Sequence, residues 1–84
     1  MSMDRVVITV EVVHRVVMVT LEQGRVDRRM YDFVYDQVLS LLDNLIDAEM
    51  IRWVKSRAGH YMVMPARGVE PIEVATEIKR RLKL

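Results

Sequence analysis

The sequence predicts a single α+β domain, mostly helical, with one two-stranded β-hairpin set ahead of a closing helix. Three observations lead there. Val34, Val38, Leu41, Leu42, Leu45 and Ile46 recur every three or four positions, the period of one helix face. Two short runs rich in β-branched and aromatic residues, 51–55 and 60–64, flank a turn containing Gly59, which is a hairpin signature. Pro71 suits the first turn of a last helix, with Glu70 and Glu73 at the positive end of its dipole.

Composition bounds the rest. With 84 residues the chain makes one domain, and a core of that size is marginal unless a second subunit covers part of it. The absence of cysteine excludes a disulfide scaffold, a thiolate metal centre and a cysteine nucleophile, and is compatible with a cytoplasmic protein. No run of about 20 apolar residues occurs, so no membrane span is expected. The acid at Asp4 and the short apolar run after it do not make a signal peptide. Asn and Gln are scarce, as in thermophile proteins, although seven Met argue the other way. The net charge of +1 hides an uneven layout: residues 27–50 hold six acids and two bases, and residues 51–84 hold eight bases and three acids.

The N-terminal segment carries two periods. Val6, Ile8, Val10 and Val12 alternate as in a strand, whereas Val7, Val10, His14, Val17 and Leu21 have helical spacing. No Gly, Pro, Asn or Asp interrupts the run from Arg5 to Glu22, so a hairpin turn has no obvious place. Residues 15–23 therefore read as a helix stopped by Gly24. Gly24-Arg25-Val26 would make a short strand or turn. A second helix would cover 27–34 with Asp27 as its N-cap, and a third 35–48. Pro65 ends the second hairpin strand. The last helix, 71–82, would bury Ile72, Ala75, Ile78 and Leu82, with Lys79, Arg80, Arg81 and Lys83 near its C-terminus.

In order and spacing, residues 15–65 resemble a winged helix-turn-helix domain of the bacterial and archaeal regulator type. Val17-Met18, Leu21, Gly24 and Val26 are similar to the end of that family's first helix. Val38, Leu42 and Leu45, followed by Glu49-Met50-Ile51, are similar to its recognition helix, and 52–65 to its wing. The family's turn residue is commonly Gly where this chain has Glu49, and positive φ is uncommon for other residues. The resemblance implies a winged-helix core at 15–65; beside it, the Val-rich residues 1–14 are expected to form a dimerisation extension and 70–84 a C-terminal helix.

It also implies a transcriptional regulator acting as a homodimer on double-stranded DNA. The recognition positions would be Asp36, Gln37, Ser40 and Asn44, whose side chains can meet base edges. Arg28 and Arg29 would reach phosphates, and Arg52, Lys55, Arg57 and His60 would contact DNA from the wing. The N-terminal segment, helped by Ile78 and Leu82, would join the two subunits. Against DNA stands the charge of residues 35–49, with four acids and no Lys or Arg, because phosphate neutralisation drives non-specific affinity. The alternative is a protein-interaction module, a subunit or adaptor, that meets its partner through this acidic middle helix. No nucleophile elbow, phosphate-binding Gly loop or His-Glu metal motif occurs, so neither an enzyme nor a cofactor is expected.

Overall fold

The structure, a computed structural model, describes residues 6–24 and 26–84. It contains six elements: β1 (Val6–Val13), β2 (Val16–Gln23), α1 (Arg28–Asp47), β3 (Ile51–Arg57), β4 (His60–Pro65) and α2 (Pro71–Leu82). The strands form one antiparallel sheet in the order β1-β2-β4-β3. Both helices pack on the same face of it, with α1 chiefly over β3 and α2 over β1 and β2.

This overturns the mostly helical winged-helix expectation. Among the described residues, strand accounts for 37% and helix for 41%, in the order ββαββα. Residues 16–23 are a strand, not a helix. Their strand period is plain once the partner is known: Val17, Val19 and Leu21 are buried and alternate with half-exposed Val16, Met18 and Thr20. Valine is stiff at χ1 and suits the pleated surface. The expected second and third helices are one 20-residue helix. Residues 6–13 of the expected extension are an integral strand, and its first five residues lie outside those described. Arg25, of the expected turn 24–26, also lies outside them.

Other expectations hold. Asp27 caps α1, accepting a hydrogen bond from the Met30 amide at 2.8 Å. The 51–65 hairpin forms, although β4 sits inside the sheet against β2, and the pair is not a projecting wing. Glu70 and Glu73 close a capping box on α2, the Glu70 amide donating to Glu73 Oε2 at 2.8 Å. Ile72 is 62% exposed and does not join the core; Val74 does, with Ala75 and Ile78.

The core lies between the sheet and the helices. Val10, Val17, Val19, Leu21, Tyr61 and Val63 face Val38, Leu42 and Leu45 of α1 and Val74, Ala75 and Ile78 of α2. No described helix is long and apolar enough to cross a membrane.

Candidate interaction surface

One face of the sheet carries both helices, and among the described residues the other carries none. Side chains alternate along a strand, so each residue's neighbours of opposite parity define the uncovered face. Two full rows cross it. Glu11, Met18, Met62 and Lys55 are register partners in turn, and so are Thr9, Thr20, His60 and Arg57. Val13 pairs with Val16, and Met64 with Trp53, on the same face. Val13, Val16, Met18, Trp53, Met62 and Met64 are all absent from the helix-covered core. Met62 is 38% exposed and Val13 42%.

The chemistry of this face is graded. Apolar side chains fill one end, with Val13, Val16, Met64 and Trp53, and reach the centre through Met18 and Met62, so three of the chain's seven Met lie here. Lys55, Arg57 and His60 are exposed along β3 and β4, while Glu11 and Glu22 stand on β1 and β2. The Lys55 ammonium lies 5.2 Å from the Trp53 ring centroid, so the aromatic and the cation form one patch. The fold dictates this arrangement. Trp53, Lys55 and Arg57 are two residues apart along β3, which puts them on one side.

The expected DNA-contacting residues fall in three places. Lys55, Arg57 and His60 lie together on the uncovered sheet face. Arg52 is exposed where the β3–β4 register shifts between Ile51 and Trp53, at the far edge of the sheet. Arg28, Arg29, Asp36, Gln37, Ser40 and Asn44 are exposed on α1, on the opposite side of the molecule. Arg28 Nε sits 3.6 Å from Asp32 Oδ1, an exposed pair one helix turn apart. The α1 surface is no short recognition helix: it belongs to a long helix whose other face is bound down on the sheet, and Leu39 packs against the core. Ile78, expected at a subunit contact, is fully buried within the chain.

Met18, Met62, Met64, Val13 and Val16 escape a reading of the sequence for function. Their signal is the period-two alternation of 16–23 and 60–65, which places one apolar set inside and leaves a second outside. Among the described residues, no three His, Cys, Asp or Glu side chains gather where they could hold a metal ion. The class defined here is a two-layer α+β domain with a bare, apolar, partly basic sheet face. The chain matches no protein-family model, no curated protein and no solved structure.

Proposed function

We propose that this domain is a non-catalytic interaction module that docks a partner protein on the open face of its sheet. The observation that carries the reading is the cluster of Met18, Met62, Met64 and Trp53 with basic side chains along one border. Interface centres are enriched in aromatic residues, Met and Arg, and depleted in Lys and Glu. Methionine adapts its shape to what it touches. The partner that fits is an apolar surface with acids placed to meet Lys55 and Arg57. The acidic α1 surface is then the solvated outside of the helical layer.

A second reading has its own observation. Lys55, Arg57 and His60 line the border next to Trp53, and a sheet with exposed cations and an aromatic ring can hold a nucleic-acid strand by charge and stacking. DNA binding by a regulator would then run through the sheet, with Arg52 at its edge, and not through α1.

Trp53 is the sole tryptophan, so its fluorescence reports on this face alone. Titration with random duplex and single-stranded DNA across a salt series separates the readings. Salt-dependent quenching, with a slope that falls by about 0.9 per phosphate contact when Lys55→Ala or Arg57→Ala is introduced, supports nucleic acid. A flat titration, together with a protein cross-linked in cells to a photoreactive residue at position 62 and lost on Trp53→Ala, supports the module reading.

A further inference from the structure

The two edges of the sheet are built differently. β3 forms one edge and has the devices that stop edge strands from pairing: a register irregularity at Arg52 and the charges of Lys55 and Arg57. β1 forms the other edge and has none of them. Its eight residues, VVITVEVV, contain one charge, Glu11, and no Pro, Lys or Gly. It pairs with β2 along its whole length, without a bulge. Among the described residues its other side has no strand and no backbone hydrogen-bond partner. Val12 and Val13 remain 41% and 42% exposed on it.

We propose that β1 pairs antiparallel with β1 of a second copy across a two-fold axis at Val10, making one eight-stranded sheet with all helices on one side. The register follows from the residues. Partners across an antiparallel ladder share a face, so the axis passes through a residue and not between two. An axis at Glu11 would set two carboxylates against each other. An axis at Thr9 would set Glu11 against Val7. An axis at Val10 pairs Val7 with Val13, Ile8 with Val12, and Thr9 with Glu11. Apolar then meets apolar, polar meets polar, and both exposed valines gain a cross-strand neighbour. The contact is isologous, so it closes as a dimer and does not propagate. It uses the edge and leaves the open face free, so it does not depend on the docking reading above.

The experiment is light scattering of the full chain at tens of micromolar, with charge variants at an exposed position. The expected mass is twice 9.9 kDa. Thr9→Glu, which opposes Glu11 twice per dimer, should raise the dissociation constant several-fold, and Thr9→Lys should lower it. The double variant Thr9→Cys/Glu11→Cys should oxidise to a covalent dimer, whereas Thr9→Cys alone should not, because only the 9–11 pairs stand directly opposite. Circular dichroism of each variant controls for folding. A monomer mass for the wild-type chain overturns the proposal. So does a dimer that ignores both Thr9 charge variants, or one that dissociates on Met62→Lys alone, since that dimer would be joined through the open face. Failure of the Trp53 and Met62 tests for a partner would leave the edge dimer standing.

Discussion

The Tyr61 hydroxyl donates a hydrogen bond of 2.8 Å to the backbone carbonyl of Tyr35, tying the start of β4 to α1. The two rings lie 5.2 Å apart, and the Tyr35 hydroxyl in turn meets the Ser56 hydroxyl on β3. Tyr61 is fully buried, and its polar end would be costly without this partner. Replacement by Phe should therefore cost about 1 kcal/mol, the net value of a typical hydrogen bond, measured by urea unfolding.

The same residue sets an alkaline limit. Burial first, then the neighbouring Tyr35, Tyr31 and Asp36, hold the Tyr61 phenol well above its usual range. A phenol raised in the folded state contributes stability that is whole below the unfolded value of about 10 and is lost as pH rises above it. Stability measured from pH 9 to 11.5 should fall more steeply for the wild-type chain than for Tyr61→Phe. Parallel curves would mean that Tyr61 does not set the alkaline limb.

Gly59 anchors the β3–β4 turn for two reasons that act together. Its φ is +83°, and a Cβ at this position would run into the Tyr31 hydroxyl. Its carbonyl also accepts a 2.8 Å hydrogen bond from the Leu21 amide, fixing the hairpin tip to β2. Gly59→Ala should lose at least about 1–2 kcal/mol from the left-handed backbone alone. The Tyr31 contact adds to that, and Tyr31→Phe in the same chain should restore part of the loss. A double-mutant cycle in thermal melts separates the backbone and steric contributions.

Much of the fold was legible from residue 27 onward, and the reason is local. Asp27, Gly59 and Pro71 each perform their usual turn or cap chemistry. The N-terminal hairpin was not legible because its turn is His14-Arg15, and His14 takes φ 56° without Gly or Asn. His is enriched among non-Gly residues in the left-handed region, a signal weaker than glycine but present. Without that turn, the 16–23 strand reads as a helix, and the winged-helix arrangement follows from the error. The candidate surface was half legible: Lys55, Arg57 and His60 could be picked out as cations on a hairpin. Their juxtaposition with Met18 required the β2–β4 pairing, a long-range contact that no local spacing encodes.

The turn after α1 offers a gain in stability. Glu49 stands where a Gly would be usual, and it adopts φ 61° all the same. The Glu49 amide donates to the Ile46 carbonyl and the Met50 amide to the Leu45 carbonyl, each at 3.0 Å, which is the Schellman pattern. The conformation thus exists without its preferred residue. Glu49→Gly should relieve about 1 kcal/mol of left-handed strain and raise the melting temperature. An unchanged or lower melting temperature would show that the Glu49 side chain contributes something the Gly variant loses.

On α2, Glu77 is the acid between two cations. Arg80 Nη2 is 2.5 Å and Arg81 Nε 2.6 Å from Glu77 Oε2. The hydrogen bonds from Arg80 and then Arg81 pull the Glu77 carboxyl down to about 2. A carboxyl lowered in the folded state contributes stability above its unfolded value, about 4.3, and loses it as pH falls through the folded one. The wild-type chain should therefore lose stability between about pH 4.5 and 2, and Glu77→Gln should flatten that stretch of the curve. Both arginines face solvent, so the difference should shrink in 1 M salt. Carboxyl chemical shifts followed by NMR through the same range give the direct check. A Glu77 midpoint at the ordinary value for glutamate, in low salt, would show that the two arginines do not hold it in solution.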